Sequence, residues 1–462
     1  MGLFERLEAR QLLTSHLPNA LFIPEGFGSS SINESVEIVD IDSSSSDWEL
    51  WARYETGARD QMIASGTTTG GEREMIAISS VGSSPVVREN TPYALELLST
   101  DDSVRAVLRH DDFGSRAGEH FRDDSGTDFA LPSIVKDDAS ARDFVLVYNP
   151  NDDSAEVELE IENEHGMTFT FVKVVEGHRR AGWNISQMDT LANGTYTAKL
   201  SSTRSIAVSG TSYDLINASA TIATQTANVA LAGAFLSTEF DGGSSPNDDT
   251  LITILNPGST DAIVDFRTIL HDSSTLLGGP STFTVNVTAG ESTTVSLRGL
   301  GFTSADDDFS LVYASNTSVS ASAVTERQSS LVFTTPETRA ATEWVFTQGQ
   351  IDRLRGNEVR TEDVYLFNPS ASSISVTVTW TFSNGQTVTE TKSLDPLEVE
   401  DPDGRLDLLA LPAGGLAYTA RVVATGPVVA SLEHWDPIGQ STGVTNLGIP
   451  MGSISLLSSV LI

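Results

Sequence analysis

Two kinds of side chain in this sequence could bind a ligand by defined chemistry: clustered carboxylates and closely spaced tryptophans. Asp137 and Asp138 stand just before a segment of strand character that includes Phe144, and Asp306, Asp307 and Asp308 stand just before another that starts at Phe309. Calcium is a hard cation that takes six to eight oxygens, often from loop carboxylates and carbonyls. Carboxylates at the ends of strands could therefore hold calcium and stiffen neighbouring domains. No spacing matches the EF-hand loop, and the competing reading is an acidic surface solvated by water. Trp48 and Trp51 are three residues apart in a strand-like segment, which places them on opposite faces. One belongs in a core; the other could stack on a sugar ring of an extracellular polysaccharide.

Other chemistry is absent from the sequence. The seven histidines are scattered, and no H-E-x-x-H occurs. There is no G-x-S-x-G nucleophile elbow and no phosphate-binding loop before a lysine. The chain has no cysteine, which removes disulfides, thiolate metal sites and cysteine nucleophiles. Acidic residues number 63 against 27 basic ones, for a net charge of −36. Such a surface repels nucleic acid and anionic lipid. No apolar run reaches the ~18 residues of a membrane helix. The expectation is a protein that is not an enzyme, has no required cofactor, does not bind nucleic acid and does not span a membrane.

The elements that must position these residues follow a repeated plan. Phe144–Pro150, Leu251–Pro257 and Val364–Pro369 each read as a strand that ends in Asn-Pro, and their asparagines, Asn149, Asn256 and Asn368, are 107 and 112 residues apart. Val36–Ile41 is a weaker first copy, with Asp40 at the asparagine position. A period this long suits a whole domain per repeat rather than a solenoid unit. After each Asn-Pro comes an alternating strand, a glycine turn such as His165-Gly166 or Ser383-Asn384-Gly385, and a return strand. Two further strands close each block. The first opens at Tyr93, Tyr196, Phe309 or Tyr418, and these rings are expected in the core with the tyrosine hydroxyls tied to backbone.

Alternation of apolar and polar residues buries one strand face and wets the other. Valine, isoleucine and threonine suit such a half-buried surface. About seven short strands per block predict an all-β protein of four tandem immunoglobulin/fibronectin-III-like β-sandwich domains. Their expected bounds are 18–115, 127–220, 230–330 and 340–440. The stretch 218–231 reads as an extended connector or edge strand. Helix is expected only as single turns at Gln348–Arg355 and Arg405–Leu411.

The run Phe4–Leu13 resembles the LEPR-XLL segment found near the start of many secreted or surface proteins of planctomycete bacteria. Leu7, Glu8, Arg10, Leu12 and Leu13 match it; Ala9 stands where proline is usual, and no basic stretch precedes it. The resemblance implies an address for residues 1–17, not an activity. The repeated blocks are similar in pattern to the Asn-Pro-containing immunoglobulin-like modules of bacterial extracellular proteins, which implies spacer, assembly or adhesive roles. Residues 448–462 form an apolar, uncharged segment expected as a strand. It either packs on the last domain or completes the sheet of a second copy, with Ile454, Leu456, Val460 and Ile462 as assembly residues. The sequence thus predicts an extracellular or cell-surface structural protein: a filament or matrix component or an adhesive stalk, with its domains in extended series. Polysaccharide binding is the alternative.

Overall fold

A computed structural model describes residues 17–41, 45–55, 57, 59–70, 72–112, 115–123, 125–139, 141–163, 165–214, 219–223, 230–239, 249–271, 279–302, 308–327, 330–351, 361–402, 416–435, 444–447 and 449–458. The described chain is all-β, with one three-residue 3-10 turn at Ile185–Gln187.

The strands fall into four successive groups. The first holds β1 (Asn19–Ile23), β2 (Asn33–Asp40), β3 (Ser45–Tyr54), β4 (Gln61–Thr69), β5 (Arg73–Ser79), β6 (Tyr93–Ser99), β7 (Val104–Asp112) and β8 (Ser115–His120). The second holds β9 (Gly126–Lys136), β10 (Ala141–Asn149), β11 (Ala155–Asn163), β12 (Thr168–Val175), β13 (Arg179–Asn184), β14 (Gly194–Asp214) and β15 (Ser219–Ala223). The third holds β16 (Ala230–Glu239), β17 (Asp249–Leu255), β18 (Ala262–Leu270), β19 (Thr282–Val287), β20 (Ser292–Ser296), β21 (Asp308–Arg327) and β22 (Ser330–Thr334). The fourth holds β23 (Arg339–Ile351), β24 (Thr361–Phe367), β25 (Ile374–Phe382), β26 (Thr387–Leu394), β27 (Val399–Glu400), β28 (Leu416–Trp435), β29 (Val444–Leu447) and β30 (Ile449–Leu456).

One antiparallel pairing plan recurs in all four groups. In the first, the sheets run β1-β6-β3-β4 and β5-β2-β7-β8. In the later groups one long strand does the work of β6 and β7. Gly194–Ser202 of β14 pairs with β9 and β11, whereas Ala207–Asp214 pairs with β10 and β15. β21 and β28 divide in the same way between their two sheets. The polar stretches read as turns, such as Ser202–Ser205, are the places where this strand leaves one sheet for the other.

Local sequence explains the strands. Ala155–Asn163 and Ile374–Phe382 alternate buried and outward positions along their length, as their apolar-polar alternation demands. Gly166 (φ 73°) and Gly385 (φ 84°) occupy the left-handed conformation their hairpin turns need, where a Cβ would be strained. Each group buries its own apolar core between its two sheets. The late-strand aromatics are equivalent by register: Tyr93 faces Tyr54, Tyr196 faces Asn163, Phe309 faces Leu270 and Tyr418 faces Phe382. All four are buried. Tyr196 Oη donates to the Ala192 carbonyl at 2.6 Å, as a backbone-tied tyrosine should, but Tyr93 Oη donates to the carboxylate of Glu34.

Three expectations change. With each long strand counted as two, the first three groups have eight strand segments and the fourth has nine rather than about seven, and β8, β15, β22 and β29 extend past the expected domain ends at 115, 220, 330 and 440. These eighth strands are short and lie at sheet edges, so they lack the alternation that marks a strand buried on one face. Gln348–Ile351 is the end of β23, not a helical turn, because Gly349 and Ile351 pair with Tyr418 and Leu416. Residues 352–355 and Arg405–Leu411 lie outside the described residues.

The third change is the largest: the groups do not form an extended series. The β1 sheet of the first group packs on the second sheet of the next, through Phe22 and Ala94 against Tyr148 and Ala207. β9 packs likewise on β17 and β21, and β16 on β24 and β28. The fourth group then returns to the first, with β23 on β2 and β7. The eighth strands touch in the same cyclic order: β8 to β15, β15 to β22, β22 to β29 and β29 to β8. The contact is head to tail at every junction, and it closes into a ring of four within one chain.

Candidate functional site

The residues singled out in the sequence are not brought together. Trp48 is buried at 1% exposure in the first core, so it cannot stack on a sugar. Trp51 lies on the outer face, as its spacing requires, with its indole N–H donating to Glu49 at 2.9 Å. The Arg53 guanidinium covers its ring at 4.9 Å. The pair therefore offers no open aromatic platform.

Asp137 and Asp138 fasten a turn instead of facing a common cation. Asp137 accepts the Ala139 N–H at 2.9 Å, and Asp138 pairs with Lys136 at 2.8 Å. Asp308 opens β21, while Asp306 and Asp307 lie outside the described residues. Among the described residues no group of three or more acidic or histidine side chains could hold a metal ion.

Ile454 and Leu456 are on β30, which pairs with β23 of the same chain, from Arg339↔Leu456 to Val345↔Ile449. The segment is thus a fifth strand on its own sheet rather than one donated to a neighbour, because β23 offers an adjacent edge in the same chain. Both side chains remain more than half exposed. Val460, Ile462 and the LEPR-XLL-like run lie outside the described residues.

The repeated asparagine proves to be a structural clamp. Asn149, Asn256 and Asn368 are fully buried. Each donates to the carbonyl four residues on, at 2.8, 2.8 and 2.9 Å. Each also donates to the end of the fourth strand, at Val175, Val287 or Leu394. Each accepts the N–H two residues on at 3.0 Å. A carboxylate has no N–H to give, and in the first group Asp40 accepts from Ser103 Oγ at 2.9 Å.

The chemically dense regions lie between groups. At the first junction, Asp60 accepts from Arg53 of its own group at 2.8 Å and from Arg179 of the next. Arg53 also binds Glu96, whose carboxylate accepts from Tyr148 Oη of the second group at 3.3 Å. Arg180 donates to the Pro24 carbonyl at 2.9 Å and pairs with Glu55. Glu25 accepts from Thr211 at 2.8 Å. Beside this network is a cleft of about 540 Å³ lined by Glu25, His110, Lys173, Arg180, Trp183 and Tyr213 among others. Its acids and bases are engaged within the fold: His110 Nδ1 lies 2.8 Å from Glu34, and Lys173 donates to the Gly182 carbonyl while lying over the Trp183 ring. Burial holds the Lys173 ammonium below its usual range. This arrangement fastens two repeats together.

At the second junction, Asp143 is buried beside a cavity of about 40 Å³. Burial pushes its carboxyl up to about 7, against the opposing hydrogen bonds from Ser212 Oγ at 2.6 Å and the Val135 N–H at 2.7 Å.

The ring-closing junction carries the largest of these clefts, about 930 Å³, between the first and fourth groups. Arg73 pairs with Glu37 on one side and donates to the Thr347 carbonyl at 2.9 Å on the other. Arg421 pairs with Glu343 at 2.7 Å. Burial raises the Glu37 carboxyl, with the Arg73 and Arg109 charges opposing. Bridging apolar clusters occur at the first and third junctions; here the Arg73–Thr347 hydrogen bond crosses the seam. Nothing in the sequence marked these junction residues, since each partner is distant along the chain and isolated arginines and glutamates carry no motif.

A family model described as a family of unknown function (DUF5719) matches residues 236–441, from within β16 to just beyond β28. No curated protein matches the chain. Among solved structures, one of Thermotoga maritima 1070 is 23% identical, covering 24% of this chain and 95% of its own, at a TM-score of 0.21. Another, a tetra-tandem repeat from the extending region of a large adhesion protein, is 10% identical over 93% of this chain and 96% of its own, at a TM-score of 0.12. At these TM-scores neither likeness bears on the fold of the whole chain. Among the described residues no helix is long and apolar enough to cross a membrane.

Proposed function

We propose that this protein is a non-enzymatic extracellular or cell-surface structural component. Its unit is a ring of four immunoglobulin/fibronectin-III-like sandwiches, which replaces the filament-like string of domains. The observation that carries this reading is the use of its chemistry-bearing side chains: Arg53, Asp60, Glu96, Arg179 and Arg180 join one repeat to the next. The strongly acidic composition supports it, since like-charged surfaces stay soluble in a crowded outer layer. Further copies would add at the outer edge of β30, where exposed Ile454 and Leu456 supply an apolar strip.

Two measurements test the proposal. Small-angle scattering should give a radius of gyration near the ~23 Å of a compact chain of this length. A rod of four sandwiches would give about 45 Å, from ~35–45 Å per domain. Immunogold labelling of intact cells should decorate the surface; label confined to the cytoplasm would reject the extracellular role. If β30 mediates assembly, Ile454→Lys should lower the sedimentation coefficient of any oligomer without unfolding the ring.

A further inference from the structure

We propose that the cleft between the first and fourth repeats is a binding site for a neutral, hydroxyl-rich ligand, a short saccharide, whose occupancy clasps the ring shut. This goes beyond the structural role and does not depend on it. The cleft's size, about 930 Å³, falls at the upper end of the ~300–1,000 Å³ of ligand sites.

Its charges are balanced in pairs, Arg73 with Glu37 and Arg421 with Glu343. No uncompensated cation is available for an anionic ligand, and Asp40 adds a further acid to the wall. What the walls do offer is hydrogen bonding. Glu37 Oε2, Arg73 Nη1 and Thr419 Oγ are buried and have no hydrogen-bond partner among the described residues.

Buried polar atoms are nearly always paired, so three unpaired ones on residues that line a single cleft call for a partner. The set mixes donors with acceptors, which matches hydroxyl groups, each able to do both. Met75, Val345, Phe382 and Met451 supply an apolar wall for the C–H face of a sugar ring. The walls belong to different repeats, so a ligand that touches both binds the closed ring better than the opened one and favours closure.

The test is titration calorimetry of the full chain with neutral gluco-, manno-, galacto- and xylo-trisaccharides, and with trigalacturonate as the anionic counterpart. Saturable binding of a neutral trisaccharide is expected. Thr419→Val and Arg73→Lys should each weaken it about tenfold. The first removes a hydroxyl at constant shape, and the second keeps the charge but loses the guanidinium fork. Circular dichroism checks that both variants fold. Hydrogen exchange should slow in 73–79 and 343–347 when the sugar binds. No binding by any neutral sugar, tighter binding of trigalacturonate, or unchanged affinity in Thr419→Val would each overturn the proposal.

Discussion

Arg73 donates to the Thr347 carbonyl at 2.9 Å, joining the first repeat to the fourth across 274 residues of chain. The same Nη2, together with Nε, pairs with Glu37, so one guanidinium both neutralises a buried acid and closes the ring. The remaining junctions join groups that follow one another in the chain. This one is held by non-covalent contact alone, between segments that begin far apart.

Removing that guanidinium should therefore be more costly than removing a surface charge. Arg73→Met leaves Glu37 buried without its cation, and breaking a buried pair from one side costs roughly 3 kcal/mol. Adding Glu37→Leu to Arg73→Met should recover most of the loss, because no charge is then stranded. Urea midpoints of the two single variants and the double variant measure this coupling. Equal losses in the single and double variants would show that the pair does not matter.

The asparagine clamp predicts a different ordering. Asn368→Ala strands the buried Leu394 carbonyl and also takes a donor from the part-buried Ser372 and Asp395 carbonyls, the last of which keeps the Glu398 N–H. Each stranded buried group costs about 1–3 kcal/mol. Asn368→Asp should be at least as harmful, since it sets a carboxylate against those carbonyls. Thermal melts of both variants check the ordering.

Stability should depend on pH through Asp143. Its folded carboxyl titrates near 7, above the ~4 of an unfolded aspartate. The folded state therefore holds the proton more tightly, and the Asp143 contribution is full below about pH 4 and lost as pH rises to about 7. Asp143→Asn removes that dependence. The stability difference between variant and parent should shift in favour of the variant between pH 4 and 7, by a few kcal/mol at most, and then level off. Denaturant titrations across that range decide it; a constant difference would rule the effect out.

Gly349 faces Tyr418 across β23 and β28. A Cβ at Gly349 would lie 2.1 Å from the Tyr418 ring. Gly349→Ala should destabilise the fourth repeat by about 1–3 kcal/mol, the usual cost of overpacking. Trimming the ring with Tyr418→Leu in the same chain should restore part of the loss, which differential scanning calorimetry would reveal.

The repeat, its period and its strand character were legible in the sequence because they arise from local physics. Alternating Val, Ile and Thr in Ile374–Trp380 specify a half-buried strand wherever they occur. Asn-Pro ends a strand whatever it packs against, and Gly166 and Gly385 mark their turns by backbone conformation alone. The asparagines at 149, 256 and 368 were visible as a pattern, but their clamping role was not, because it is made by carbonyls at the end of another strand. The eighth strands were hidden for a related reason: at a sheet edge, pairing rather than alternation makes the strand.

The sequence by itself determined that this is an acidic, cysteine-free, repeated β protein, since composition and periodicity are properties of the chain read in order. Tertiary structure decided which tryptophan is buried, that β30 pairs with its own β23, and that the four repeats close into a ring. Those outcomes depend on surfaces meeting after folding. Arg73 and Thr347, or Asp60 and Arg179, gain their meaning from three-dimensional proximity, which no spacing along the chain encodes.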